Sequence, residues 1–215
     1  MPTLTASGLA CQRGGYPVFS GVDLEIATGQ TLQVTGRNGS GKSSLLRLLC
    51  GLLEPAGGTI RFDAGDPEAR VADHCHYLGH ENGLKPQLTT VDNLDFWRKV
   101  YGPTGKAARE ALSVVGLDRV ADLPTAYLSA GQKRRAAIAR LLVSNRSTWL
   151  LDEPTAALDR PSESLLGEIV DAHTRAGGLT IVATHLTLPF AVTATLDLTA
   201  HHASARVPAG LGADQ

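Results

Sequence analysis

The chain has 215 residues, a formal net charge of −1 and 43% hydrophobic residues, which suits one large α/β domain or a domain with an inserted lobe. The charge shows no basic excess for nucleic acid, and three widely spaced cysteines are typical of a reduced compartment rather than a disulfide scaffold. The first residues lack a signal-peptide layout, and no stretch reaches the roughly 18 apolar residues of a membrane span. We therefore expect any membrane role to come through another chain.

Short apolar stretches broken by glycines dominate the start of the chain. Residues 4–26 and 59–62 have the pattern of an antiparallel β flank, and residues 31–34 are a predicted strand. A glycine-rich loop follows that strand and precedes a Leu-rich predicted helix. Strand, glycine loop and helix stand in the order that a phosphate-binding loop requires.

The loop T-G-R-N-G-S-G-K-S, residues 35–43, fits the pattern G-x-x-x-x-G-K-[ST]. Glycines let the backbone approach anionic oxygens, Lys42 adds a charge near the β and γ phosphates, and Ser43 offers a hydroxyl to Mg²⁺. A glycine turn that binds nothing is the alternative, and the full match disfavours it. The predicted phosphate-binding residues are Gly36, Arg37, Asn38, Gly39, Ser40, Gly41, Lys42, Ser43 and Ser44.

Further strands and helices alternate through the rest of the chain. Strands are predicted at 74–78, 148–151 and 179–183, and residues 90–144 are mostly helix-like. We therefore predict an α/β fold with a mostly parallel sheet, an antiparallel β flank and an inserted helical lobe at about 81–145. The lobe belongs to a single domain of residues 1–200, followed by a tail at 201–215.

Two carboxylates follow the apolar strand at 148–151. Asp152 is expected to hold Mg²⁺ opposite Ser43, and Glu153 to orient and deprotonate an attacking water. Hydrolysis is therefore favoured over transfer to a bound acceptor. An acidic pair that caps a helix is the alternative.

A second helix start facing phosphate is predicted at L-S-A-G-Q, residues 128–132. Ser129 and Gln132 fit a capping box, and the free N–H groups of such a helix end bind anions. The basic residues 133–135 indicate either nearby negative charge or a solvated basic face. The chain thus has two helix starts that suit phosphate, one after the loop and one at 128–132, but only one phosphate loop. This arrangement is explained if two chains bind two nucleotides between them.

Together, the G-R-N-G-S-G-K-S loop, L-S-A-G-Q and L-L-D-E-P resemble the ATP-binding cassette family over nearly the whole chain. The resemblance implies a P-loop NTPase of that type and a head-to-tail, ATP-dependent homodimer, in which residues 129–132 (Ser129, Ala130, Gly131 and Gln132) contact the γ phosphate held by the other copy. It also implies that Asp159, in A-A-L-D, lies across the dimer interface. His185 resembles the switch histidine that contacts the γ phosphate and the attacking water.

Two positions depart from the family pattern. His80 stands where the family usually has a glutamine near Mg²⁺, and Arg13 stands where an aromatic residue stacks on adenine. Imidazole can accept a hydrogen bond from metal-bound water, and either the guanidinium of Arg13 or the ring of nearby Tyr16 can stack on a base.

One branch of the family fits more closely, because Y-L-G-H-E-N-G-L-K at 77–85 resembles the haem exporter ATP-binding subunits of cytochrome c maturation. The resemblance implies integral membrane transporter subunits as partners, a haem-chaperone pathway, and a peripheral place on the cytoplasmic face of a bacterial inner membrane. Whether haem itself crosses the membrane stays open. The alternatives are a cassette subunit for another cargo such as a lipoprotein or drug, a nucleic-acid-associated cassette ATPase, and a small-molecule phosphotransferase.

A cluster of potential ligands, His74, Cys75, His76 and His80, lies in and after the predicted strand 74–78. Strand alternation would place His74 and His76 on one face and Cys75 on the other. We interpret these as ordinary strand residues rather than as a metal or haem site.

Overall fold

The computed structural model describes residues 3–63 and 70–201. Most of the predicted tail, 202–215, therefore lies outside the described residues. The strands are β1 (Thr3–Arg13), β2 (Tyr16–Ala27), β3 (Thr31–Thr35), β4 (Gly57–Asp63), β5 (Cys75–Leu78), β6 (Thr148–Asp152), β7 (Leu179–Ala183) and β8 (Ala194–Asp197). The α-helices are α1 (Lys42–Leu49), α2 (Val71–His74), α3 (Thr90–Tyr101), α4 (Ala108–Val114), α5 (Ala130–Ala139) and α6 (Arg160–Arg175).

Two sheets form the framework. A three-stranded antiparallel sheet has the order β2-β1-β4, and a five-stranded sheet has the order β5-β6-β7-β3-β8. Each neighbouring pair in the larger sheet is parallel. The predicted parallel core and antiparallel flank are thus both present, and the carboxyl ends of β3, β6 and β7 lie side by side.

The parallel sheet divides the interior into two cores because strand side chains alternate between its faces. Leu150 of β6 joins the core that α1 and the antiparallel sheet share, while Trp149 and Leu151 join the core beneath α3 to α6. All five residues of β6 and of β7 are buried, as their continuous apolar runs predict.

One predicted boundary was wrong. His74 ends the short helix α2, and β5 begins at Cys75. His74 and His76 therefore do not share a strand face; a short helix rather than a longer strand carries His74. None of the helices within 3–63 and 70–201 combines the length and apolar character that a bilayer span needs.

Candidate functional site: a phosphate loop beside an acidic strand end

The loop between β3 and α1 has a backbone that depends on glycine. Gly41 caps α1 at φ +98°, and a Cβ at this position would lie 2.6 Å from Val18 Cγ1 of β2. At Gly36 a Cβ would lie 2.7 Å from Ser40 Oγ, inside the cradle of the loop. The loop therefore packs closely against β2. Main-chain groups line its inner surface, which suits binding of phosphate oxygens.

Two polar side chains of the loop, those of Lys42 and Ser40, are buried, and neither has an acidic partner among the described residues. Lys42 is 9% exposed, and its Nζ donates to the carbonyls of Gly36 at 2.8 Å and Arg37 at 3.3 Å. Ser40 Oγ is buried and has no hydrogen-bond partner among the described protein atoms. A buried hydroxyl without a partner costs about 1–3 kcal/mol, so a ligand that supplies one is favoured.

Helix α1 opens directly onto the loop. No side chain caps its first turn, and it carries no acidic residue there. The free N–H groups and the positive end of the helix dipole therefore remain for an anion. Ser43, at the second position of the helix, is half-buried, and Arg37, Asn38 and Gly39 are exposed at the loop's outer edge.

The carboxylate of Asp152 ends β6 beside α1. Asp152 is 3% exposed, and its Oδ2 accepts from the Tyr77 hydroxyl at 3.3 Å. Tyr77 Oη in turn accepts from Arg47 Nε of α1, also at 3.3 Å. Burial, followed by the nearby Asp152 charge, raises the pKa of Tyr77 although Arg47 opposes this. Tyr77 thus stays protonated and donates to Asp152, and these contacts link α1, β5 and β6.

Gly79 makes room for the Tyr77 ring. A Cβ at residue 79 would lie 2.9 Å from Tyr77 Cε1. Gly79 therefore has a role in packing, because a residue without a Cβ lets the Tyr77 ring reach the end of β6.

Glu153 adopts a strained backbone conformation. Its φ is +44°, a region that costs a residue with a Cβ about 1–2 kcal/mol. Its amide donates to the Ala183 carbonyl at 2.9 Å, and its Oε2 accepts from Thr184 Oγ1 at 2.7 Å. His185 Nδ1 lies 3.4 Å from Oε1. The carboxylate is therefore turned toward the end of β7 and held beside His185, whose side chain is 61% exposed.

Arg134 of α5 lies behind this strand end. It is 3% exposed, and its guanidinium donates to the carbonyls of Asp152, Glu153 and Pro154 at 3.0, 2.6 and 3.1 Å. The solvated-face interpretation of the basic residues 133–135 does not describe Arg134, which is buried among protein carbonyls; the negative charges near it are those of Asp152 and Glu153.

The start of α5 has the predicted capping box. Ser129 Oγ accepts from the Gln132 amide at 3.2 Å, and Gln132 Oε1 accepts from the Ser129 amide at 2.8 Å. Ser129 and Ala130 are exposed, while Gly131 packs near the Ala157 carbonyl, 3.2 Å from where a Cβ would lie. Within the described ranges no hydrogen bond joins residues 129–132 to the phosphate loop of the same chain.

The segment 156–159 lies beside this helix start, since the Ala157 carbonyl approaches Gly131. Asp159 is exposed and caps α6 by accepting from the Ser162 amide at 3.0 Å. The hydroxyl and then the amide of Ser162 lower the pKa of its carboxyl. The nearby charge of Arg135 of α5 lowers that pKa as well.

Three further predicted site residues are exposed, while Ser44 of α1 is half-buried. Arg13 and Tyr16 form a cross-strand pair at the end of the β1–β2 hairpin, with Tyr16 73% exposed. Because β2 also contacts Gly41, this hairpin adjoins the phosphate loop. His80 is exposed immediately after Gly79.

The histidine and cysteine cluster disperses. The His74 ring lies against Phe62, and His76 is buried against Tyr101 with its Nε2 2.9 Å from the Ser144 carbonyl. Among residues 3–63 and 70–201, no group of three or more His, Cys, Asp or Glu side chains is arranged to hold a metal ion.

Sequence reasoning missed Tyr77, Arg47, Thr184 and the role of Arg134. A signal existed for Arg134, since residues 134, 137, 138 and 141 fall at i, i+3, i+4 and i+7 and all four are buried. The arginine thus begins an apolar helix face, where a charged residue needs partners. Tyr77 and Thr184 carried no comparable signal, because their partners are distant in sequence.

Comparisons with known proteins agree with this geometry. Residues 19–156 match the ABC transporter family, and the chain belongs to that family. It is 51% identical over 185 residues to the cytochrome c biogenesis ATP-binding export protein CcmA of Bradyrhizobium diazoefficiens, covering 86% of this chain and 92% of that protein. The protein of the same name from Chelativorans sp. is 53% identical over 188 residues, with coverage of 86% and 92%.

Solved structures show the same fold. An ABC transporter ATP-binding protein from Pyrococcus furiosus superposes with a TM-score of 0.81 at 23% identity, covering 94% of this chain and all of that one. A dimeric ATP-binding cassette bound to ADP and Pi gives a TM-score of 0.73 at 24% identity, covering 85% and 88%. The predicted fold and the predicted ABC-type ATPase class are confirmed, and binding of ATP follows from that class.

Proposed function

We propose that this chain is the ATP-hydrolysing subunit of a membrane complex that handles or exports haem during c-type cytochrome biogenesis. The observation that carries the proposal is the identity of about half of all aligned residues, over most of both chains, to proteins named for cytochrome c biogenesis export. The alternative of another exported cargo shares every catalytic motif and differs at the segment 80–85.

The phosphate loop and the strand end supply the chemistry. Lys42 and the amides of α1 hold the phosphates of ATP, and the hairpin residues Arg13 and Tyr16 offer stacking surfaces for adenine. Ser43 and Asp152 are the oxygen donors that suit Mg²⁺, which when bound neutralises charge on the β and γ phosphates. His80 would accept a hydrogen bond from a water bound to that ion.

Glu153 acts as the base. Its carboxylate, fixed by Thr184, accepts a proton from the water that attacks the γ phosphate, while His185 holds that water and the phosphate. Lys42 stabilises the charge that develops on the γ phosphate.

A second copy completes the site. The exposed capping-box turn 129–132 lacks contact with its own phosphate loop, which supports the proposal that it serves the loop of a partner chain. Asp159, which is exposed and lies near Arg135 of α5, would face that partner. ATP therefore closes a head-to-tail homodimer, hydrolysis reopens it, and the segment 80–85 with the helical lobe passes the movement to integral membrane subunits.

The test is purification of the full-length chain, with its native membrane partners, from the inner membrane of its own host. We expect integral membrane subunits and haem to copurify, with the chain on the cytoplasmic face. A parallel preparation from cells with the untagged chain controls for adventitious haem. Membrane subunits without haem would favour the other-cargo alternative, and absence of any membrane subunit would overturn the transport proposal.

A further inference from the structure

The guanidinium of Arg134 joins three segments that are far apart in sequence. It donates to four main-chain carbonyls and one side-chain amide oxygen within the described ranges; its acceptors are Gly79 O, Asn82 Oδ1, Asp152 O, Glu153 O and Pro154 O. The contacts to Gly79 and Asn82 measure 2.8 and 3.3 Å. One side chain of α5 therefore fixes both the end of β6 and the segment after β5.

These contacts are made in the interior. Burial lowers the pKa of Arg134 to about 10, although the charges of Asp152 and Glu153 oppose the shift. The group is therefore still charged near neutral pH, and charged donors make the stronger hydrogen bonds to carbonyls. Replacing it with an apolar residue would leave several buried carbonyls without a donor.

The strongest consequence falls on Glu153. Its positive φ is a conformation that surrounding contacts must maintain, and its carbonyl accepts the shortest of the Arg134 hydrogen bonds, at 2.6 Å. On the other side of the residue, the amide and carboxylate are fixed by Ala183 and Thr184. Arg134 of α5 thus holds the carbonyl of Glu153, while Ala183 and Thr184 hold its amide and carboxylate.

The same helix carries the exposed turn at Ser129. Arg134 follows Ser129 by five positions, about 7.5 Å along an α-helix. A displacement of α5 at its exposed end therefore moves the guanidinium, and with it the carbonyls of Asp152 and Glu153.

We propose that Arg134 is a positioning residue that makes the conformation of Glu153 depend on the place of α5 and of the segment 79–82. The inference rests on the proposed ATPase function and deepens it. When Ser129 contacts the nucleotide of a partner chain, Arg134 therefore also fixes the conformation of Glu153 in the chain that carries Ser129.

Arg134→Met and Arg134→Lys in the full-length chain test this inference, with Arg135→Met as the matched control. Arg135 is the next residue of α5, and its Nη1 donates to the Val115 carbonyl at 3.0 Å, within the helical lobe. We expect Arg134→Met to lower kcat about 30-fold or more while KM for ATP changes less than about threefold. Arg134→Lys should recover part of kcat, and Arg135→Met should keep the wild-type kcat.

A double-mutant cycle with Glu153→Gln separates positioning from a loss of structure. If Arg134 acts through the Glu153 carboxylate, Arg134→Met should hardly lower the residual single-turnover rate of the Glu153→Gln chain. An equal loss in both backgrounds, or wild-type kcat in Arg134→Met, would overturn the inference. Should Arg134→Met fail to fold, the same cycle is run with Arg134→Lys. A wild-type chain without ATPase activity would instead contradict the proposed function itself.

Discussion

The phosphate loop and the catalytic strand end are built in different ways. The loop takes nearly all its polar groups from residues 36–43, with β2 as the wall behind it. The strand end gathers Tyr77, Arg134, Asp152 and Thr184 from four separate segments. A single substitution in the loop should therefore abolish ATP binding. A single substitution at the strand end should only lower the rate of hydrolysis, because several other contacts remain.

Gly41→Ala should have the largest effect. The backbone of residue 41 has φ +98°, which disfavours a Cβ, and the new Cβ would collide with Val18. We therefore expect ATP affinity to fall about 100-fold or more. Equilibrium binding of a fluorescent ATP analogue measures this. Gly51→Ala is the control, because φ there is +71° but the nearest atom to a new Cβ is 3.8 Å away. Equal loss of affinity in both variants would contradict the packing explanation.

His76→Gln tests the support of β5, which carries Tyr77. Burial lowers the pKa of His76 from 6.5 to about 3, so between these values the unfolded chain binds a proton that the folded chain excludes. Stability must therefore fall as pH drops through this window, by about 2 kcal/mol between pH 7 and 5 for this group. Denaturant unfolding at both pH values should show a smaller acid loss in His76→Gln, whose amide can still donate to Ser144. Identical losses in the wild-type and His76→Gln chains would contradict the assignment of this pH dependence to His76.

Thr184→Val tests how the base is oriented. The hydroxyl donates to Glu153 Oε2, and its loss should lower kcat about tenfold with ATP affinity unchanged. Thr184→Ser keeps the donor and should retain most of kcat. Steady-state ATPase measurements decide the matter, and a change in KM alone would contradict the role.

Tyr77→Phe should have the smallest effect. It removes the donor to Asp152 Oδ2 while keeping the ring beside Gly79. We expect the Mg²⁺ concentration for half-maximal ATPase activity to rise about threefold to fivefold, because Asp152 is less firmly oriented. A Mg²⁺ titration at saturating ATP measures it, and an unchanged midpoint would show that Tyr77 serves only packing.

The same contrast explains what the sequence could predict. The loop, β3, β6, β7 and the capping box at Ser129 depend on neighbouring residues, and the structure has them at or within a residue of the expected places. The link from Arg47 through Tyr77 to Asp152 and the five acceptors of Arg134 depend on tertiary contacts between distant segments. The end of α2 at His74 was mistaken for strand because a single helical turn leaves no periodic pattern.

The most direct test of the central claim is the mass of the full-length Glu153→Gln chain, measured by light scattering with and without ATP. We predict a hydrolysis rate about 10³-fold below wild type, retained ATP binding, and a dimer that forms only with ATP. Adding Ser129→Asp, which can still cap α5 but places a negative charge toward the partner's γ phosphate, should leave a monomer that binds ATP; Ser129→Thr should still dimerise. A Glu153→Gln chain that turns over normally, stays monomeric with ATP, or dimerises equally well with Ser129→Asp would contradict a site shared between two chains.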